Sequence, residues 1–169
     1  MLFNLSPRVT LVVLAVVALL ALGLCIPRCH AATLDAPYVQ LSGGEAVVRG
    51  QTPVLDLTFT EPAPQLRKAY WQESLTIIGT STFNGQPVAN NFAVRGLFVD
   101  GFGRFDMGLG LSWMQNYLPY NGGPINFNLQ LSYRFVVLPV TVTYSHMSDA
   151  GSRLPNLGRD LVLIGWRFR

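Results

Sequence analysis

The sequence contains few of the charged residues that soluble domains carry at their surfaces. Charged residues make up 12% of the 169 residues, about half of the roughly 25% that is usual in soluble domains. Hydrophobic residues make up 50%, and the mean hydropathy is +0.33. The length allows one domain, and the composition is not typical of a soluble globular one.

The first 32 residues have the layout of a secretory signal peptide. Arg8 precedes an apolar run from Val9 to Leu24, and the short segment that follows ends in Ala31 and Ala32. We expect cleavage after one of these two alanines, which leaves residues 33–169 as the mature domain. The alternative is an uncleaved membrane anchor, because an apolar run of this length is near the lower limit for a transmembrane helix.

The expected mature domain has no thiol and a single histidine, because Cys25, Cys29 and His30 all lie in the segment to be removed. A secreted domain of this size without disulfides needs another source of stability, and a closed barrel in a bilayer supplies one. One histidine without thiols cannot build a usual metal site, so we predict neither a metal nor a cofactor. Without Arg8 and Arg28, ten basic residues face nine acidic ones. This balance does not support nucleic-acid binding.

The chain after residue 37 alternates between polar and apolar residues, as half-buried β-strands do. No segment there has a convincing helical period. The clearest run, Phe127–Phe135, has aromatic or aliphatic residues at the odd positions and polar residues between them. We predict eight strands, at Tyr38–Arg49, Val54–Thr60, Trp71–Gly79, Asn91–Asp100, Arg104–Trp113, Asn126–Phe135, Pro139–Ser148 and Asp160–Phe168.

Two-faced strands fit either a soluble β-sandwich or a membrane barrel, and their polar faces distinguish the two. A soluble sandwich carries its charges on the exposed face, whereas these polar faces are mainly Asn, Gln, Ser, Thr and Gly, which suits the lumen of a narrow barrel. The apolar faces carry aromatics near their ends, as lipid-facing bands do, and the strand lengths match a tilted crossing of a bilayer. We therefore predict an all-β fold, an eight-stranded antiparallel transmembrane β-barrel.

The seventh predicted strand ends with a histidine and a serine two residues apart. His146 and Ser148 share one face, because side chains alternate along a strand. Val140, Val142 and Tyr144 occupy the same face, which is therefore directed to lipid. If Asp160 pairs with His146, then 162 pairs with 144 and 164 with 142, which places apolar neighbours together. This register brings a candidate nucleophile, base and orienting acid together on the outer wall. The alternative is that these polar residues simply lie above the hydrocarbon, in headgroups or water.

The segment from His146 to Asp160 resembles a known family. The residues His146-x-Ser148-Asp149-Ala150-Gly151, then Pro155-Asn156-x-Gly158 and Asp160, resemble the PagL-type outer-membrane lipid A 3-O-deacylases. The resemblance implies a bacterial outer-membrane enzyme that hydrolyses an ester-linked hydroxyacyl chain of lipid A, the anchor of lipopolysaccharide. It implies that Ser148 is the nucleophile and His146 the base, and that Asp160 stands where the family usually has glutamate. Asp149 stands where the family usually has asparagine, and Asp149, Ala150 and Gly151 would form the oxyanion hole.

Two arginines near the site are candidate substrate contacts, and two other functions compete with lipid A deacylation. Arg153 and Arg159 flank the site and would either bind lipid A phosphates or solvate a loop. Lipid A in the outer leaflet is the expected partner, and a homodimer is left open. The competing functions are a non-enzymatic barrel, structural or adhesive, with a degenerate triad, and a phospholipid esterase of similar geometry. In the non-enzymatic barrel, the departures at Asp149 and Asp160 would mark lost activity.

Overall fold

The protein is an antiparallel β-barrel in the computed structural model, which describes residues 37–47, 52–63, 69–83, 86–88, 91–116, 123–149 and 158–168. The strands in these ranges are β1 (Tyr38–Ala46), β2 (Thr52–Pro62), β3 (Ala69–Ile78), β4 (Ser81–Phe83), β5 (Gln86–Val88), β6 (Asn91–Phe102), β7 (Phe105–Met114), β8 (Ile125–Arg134), β9 (Val140–Ser148) and β10 (Arg159–Phe168). Eight of them close in the order β1-β10-β9-β8-β7-β6-β3-β2. The predicted eight-stranded barrel is therefore confirmed.

The two remaining strands were not predicted. Strands β4 and β5 pair with each other as a separate two-stranded sheet, inserted between β3 and β6. The predicted signal peptide and its cleavage site lie outside the described residues. Within the described ranges, no helix is long and apolar enough to cross a membrane.

The barrel has two distinct ends. At one end, which we call the terminal end, β1 begins and β10 finishes, and Val39 pairs with Phe168. At the other end, which we call the site end, β9 finishes at Ser148 and β10 begins. The terminal-end connection between β6 and β7 is a two-residue turn in which Gly103 adopts a φ of 67°. Three of the four site-end connections are longer than any connection at the terminal end, and one of them contains the β4–β5 hairpin.

The outer wall of the barrel is apolar and the lumen is largely polar. Along β8, Phe127 is 60% exposed, whereas its neighbours Asn126 and Asn128 are buried. The same alternation holds on the other barrel strands, where the exposed side chains are mainly Leu, Ile, Val, Phe and Trp. In a soluble protein the apolar side chains are buried and the polar ones exposed, so the distribution here is the opposite. It matches a membrane barrel, whose closed sheet satisfies the strand hydrogen bonds internally.

A buried ion pair organises the lumen. Arg95 on β6 pairs with Asp56 on β2, and Thr76 on β3 donates a hydrogen bond of 2.6 Å to the same carboxylate. Arg95 also donates to the Ser145 hydroxyl at 3.1 Å, and Ser145 donates to the Asn128 amide oxygen at 3.0 Å. The network therefore links strands on opposite sides of the barrel and holds the lumenal side of β9.

Part of the lumen near the site end is apolar, which corrects the expectation of a mainly polar lumen at this end. A cluster of buried side chains from seven barrel strands fills this end, and we call it the apolar plug: Ala46, Val54, Ile78, Ala93, Met114, Met147, Leu161 and Leu163. The expectation was wrong here because seven of the eight barrel strands place at least one small or aliphatic side chain inward near this end. Met147 belongs to the plug and lies between His146 and Ser148 in the chain.

Candidate active site

Strands β9 and β10 bring the predicted site residues together on the outer wall. Asp160 pairs with His146, Val162 with Tyr144 and Ile164 with Val142. This is the register that the sequence predicted, and it is confirmed. It follows that His146 and Asp160 are cross-strand neighbours on the face that points away from the lumen, close to the site end.

His146 and Asp160 form a direct hydrogen bond. The distance from His146 Nδ1 to Asp160 Oδ1 is 2.7 Å, and the two side chains are 36% and 31% exposed. The aspartate therefore reaches the imidazole although it is one methylene shorter than glutamate. With Nδ1 donating to the carboxylate, the Nε2 of a neutral imidazole carries the lone pair. This is the tautomer that a general base requires, as in serine hydrolase triads.

Ser148 is the last residue of β9 and lies opposite Phe127 of β8. It shares the outward face with His146, and the strand rise separates their Cα atoms by about 7 Å. Between the described residues, no hydrogen bond joins Ser148 to His146. A nucleophile and its base often approach each other only when substrate is bound. The spacing of Ser148 and His146 is compatible with such a pair.

The other predicted site residues lie in or beside the connection between β9 and β10. Ala150, Gly151 and Arg153 lie outside the described residues. The Asp149 side chain is 3% exposed and has an interaction partner, so its carboxylate is withdrawn from the outer surface. Arg159 is 4% exposed and precedes Asp160 on β10, so it occupies the opposite face of the strand. This position does not favour contact between Arg159 and a lipid phosphate.

Gly158 packs against the His146 imidazole, a contact that the sequence pattern did not indicate. Its φ is 67°, a left-handed conformation that favours glycine. A Cβ atom at this position would lie 2.7 Å from His146 Cε1 and 3.3 Å from His146 Nε2. The glycine therefore leaves room for the imidazole ring. The sequence contained a hint of this role, because Gly158 belongs to the segment that resembles the deacylases.

Like Gly158, Tyr144 contacts the site although the sequence pattern did not assign it there. Its hydroxyl donates a hydrogen bond of 2.7 Å to Asp160 Oδ1, the oxygen that also meets His146. Strand alternation placed Tyr144 on the same face, but only as an apolar neighbour in the register.

In the described part of the chain, no group of three His, Cys, Asp or Glu side chains that could hold a metal ion is present at this site or elsewhere.

Comparison with known proteins shows a likeness at the level of structure. No protein-family model and no curated protein matches the chain. The fold is similar to that of the outer membrane enzyme PagL. The crystal structure of that enzyme superposes with a TM-score of 0.52 at 18% sequence identity, over 78% of this chain and 99% of the enzyme. At this identity the likeness shows that the two chains share a fold.

Proposed function

We propose that this protein is an outer-membrane esterase that hydrolyses the 3-O-linked hydroxyacyl chain of lipid A. The observation that carries the proposal is the hydrogen bond of 2.7 Å between His146 and Asp160, on the lipid-facing wall and two residues from Ser148. An imidazole held by a carboxylate, with a serine on the same face, is the arrangement used for nucleophilic acyl transfer. The fold shared with PagL agrees with this assignment.

The proposed mechanism has two steps. His146 Nε2 removes the proton from Ser148 Oγ, and this oxygen attacks the ester carbonyl. As the bond between the carbonyl carbon and the sugar oxygen breaks, the imidazolium donates that proton to the departing sugar oxygen, which leaves as a hydroxyl. Water, activated by the same nitrogen, then hydrolyses the acyl-serine and releases the 3-hydroxy fatty acid. Asp160 stabilises the imidazolium in both steps. Backbone N–H groups of Asp149, Ala150 and Gly151 would hold the oxyanion.

The position of the site suits a substrate that is itself a membrane lipid. Outer-membrane barrels have short periplasmic turns and longer outer connections, so the site end would face outward. His146 and Ser148 would then lie in the outer leaflet, where the ester of lipid A can approach the wall laterally. A charged Asp149 side chain beside the oxyanion hole would oppose the developing negative charge. The proposal therefore requires that the backbone N–H of Asp149, and not its buried carboxylate, faces the oxyanion.

Mass spectrometry of lipids from cells that express the wild type or Ser148→Ala tests the proposal. We expect the wild type to remove one hydroxyacyl mass from lipid A, and Ser148→Ala to lower the rate by at least about 10³-fold. The lumenal variant Ser112→Ala is the matched control and should retain the wild-type rate.

The same spectra separate the competing functions. Unchanged lipid A with altered phospholipids would identify a phospholipid esterase. Unchanged lipids of both classes would identify a non-enzymatic barrel with a degenerate triad. Full release by Ser148→Ala would exclude Ser148 as the nucleophile.

A further inference from the structure

One oxygen atom of Asp160 is bound from two directions. The hydroxyl of Tyr144 donates to Asp160 Oδ1 at 2.7 Å, and His146 Nδ1 meets the same oxygen at 2.7 Å. Tyr144 and His146 lie two residues apart on β9, so both reach across to β10 on the lipid-facing side. The carboxylate is thus placed by a phenol as well as by the imidazole.

We propose that Tyr144 is a positioning residue of the triad, which holds the Asp160 carboxylate in the orientation that His146 requires. This inference rests on the function proposed above. A carboxylate on a lipid-facing wall has few water molecules to solvate it, so a fixed donor is favoured there. A hydrogen bond to a charged acceptor is also stronger than one between neutral groups. Tyr144 itself touches no reacting atom in the proposed mechanism.

The short side chain explains why a second donor is useful. Aspartate reaches His146 with one methylene fewer than the glutamate that is usual in the resembling family, so the carboxylate has less freedom to correct a wrong orientation. The tyrosine hydroxyl restricts that orientation from the neighbouring position on β9. If the ring of Tyr144, which is 38% exposed, served only the lipid-facing band, its hydroxyl would be dispensable and phenylalanine would be equivalent.

A double-mutant cycle distinguishes these two roles. It uses four purified proteins: the wild type, Tyr144→Phe, Asp160→Ala and the double variant. The first measurement is the rate at which a fluorophosphonate probe labels Ser148, which needs no lipid A. The second is kcat and KM for release of hydroxy fatty acid from lipid A in mixed micelles.

We expect Tyr144→Phe to lower the labelling rate and kcat by about 10- to 100-fold, as small misplacements of catalytic groups do. KM should change by less than about twofold, because ground-state binding is not involved. In the Asp160→Ala background, Tyr144→Phe should cause no further loss, because the carboxylate through which it acts is gone. Tyr133→Phe, which removes a hydroxyl bonded to Arg104 at the terminal end, is the control and should retain the wild-type rates.

Each remaining outcome is decisive. Wild-type rates for Tyr144→Phe, or an equal loss in both backgrounds, would overturn the role of Tyr144. Labelling of the wild type without lipid A hydrolysis would refute the proposed substrate, while the labelling cycle would still decide the role of Tyr144. A wild type that is not labelled at all would overturn both. Resistance of the folded barrel to SDS at room temperature excludes misfolding as the cause of any loss.

Discussion

At the scale of single residues, the site depends on a glycine as much as on its polar groups. Gly158 has a φ of 67°, and a Cβ there would press on the edge of the His146 ring. Gly103 has the same φ of 67° in the turn between β6 and β7, but a Cβ there would meet nothing within 4 Å. A Cβ at Gly158 would also lie 3.1 Å from the Met147 carbonyl oxygen. Comparison of the two glycines therefore separates backbone strain from the close contacts of the added methyl group, chiefly with the imidazole.

We predict that Gly158→Ala lowers the proposed esterase activity by more than about 10-fold, because the methyl group displaces the His146 imidazole. Gly103→Ala should cost a similar backbone strain, about 1 kcal/mol of unfolding free energy, without loss of activity. Activity assays and urea unfolding of both variants provide the measurements. Equal activity of the two variants would mean that Gly158 does not position His146.

The residues of the site were only partly predictable. Alternation along one strand placed His146 and Ser148 on the outer face, because parity depends on the chain alone. The hydrogen bond from Tyr144 to Asp160 was not predictable, since parity gives the face of a side chain and not the direction of its hydroxyl. The close approach of Gly158 to His146 depends on how the chain enters β10, which a residue pattern does not specify.

At the scale of strands, β9 has different functions on its two faces. Its outward residues carry His146 and Ser148, while Met147, between them, is fully buried in the apolar plug. A strand anchored by a core side chain at this point cannot rotate or slide without moving both site residues. The plug thus fixes the end of β9 where the triad lies.

We predict that Met147→Ala lowers the free energy of unfolding by about 2–3 kcal/mol, because it leaves a cavity in a packed cluster. Activity should fall as well, since the end of β9 loses its anchor. Met107→Ala is the matched control, because Met107 is 44% exposed on the outer wall and loses little packing within the protein. A similar destabilisation of both variants, measured by urea unfolding in lipid vesicles, would contradict the role of the plug.

Most strands and the decisive register were predictable, whereas the hairpin and the plug were not. The pairing of His146 with Asp160 followed from matching apolar neighbours on β9 and β10, which a one-residue slip would reverse. The β4–β5 hairpin consists of three-residue strands, which are too short to show a period. The plug was not predictable because the polar faces of the strands, which are mainly Asn, Gln, Ser, Thr and Gly, indicate only a mainly polar lumen.

At the scale of the whole molecule, a lumenal hydrogen-bond network holds the strand that carries the outer site. The ion pair between Arg95 and Asp56 lies inside the barrel, and Arg95 also holds Ser145 on the lumenal side of β9. Ser145 is the residue between Tyr144 and His146. The site on the outside is therefore connected to a network that joins the opposite strands of the barrel.

We predict that Arg95→Met lowers the free energy of unfolding by about 3–5 kcal/mol, because it leaves the Asp56 carboxylate buried without its cation. Arg104→Met should cost less than about 1 kcal/mol, because Arg104 is partly exposed and makes a longer hydrogen bond of 3.3 Å, and bonds of this kind contribute little. Urea unfolding of the two variants compares them directly. Equal stability of Arg95→Met and the wild type would show that the ion pair does not hold the barrel together.

In the proposed mechanism, Ser148 attacks an ester of lipid A with the help of the His146–Asp160 pair. The most direct test is to mix the purified protein with lipid A, quench the reaction rapidly in acid and determine the mass of the peptide that contains Ser148. We predict a covalent adduct of one hydroxyacyl group on Ser148, together with released 3-hydroxy fatty acid, and neither product with Ser148→Ala. Release of the fatty acid by Ser148→Ala, or a wild type that forms neither product, would contradict the claim.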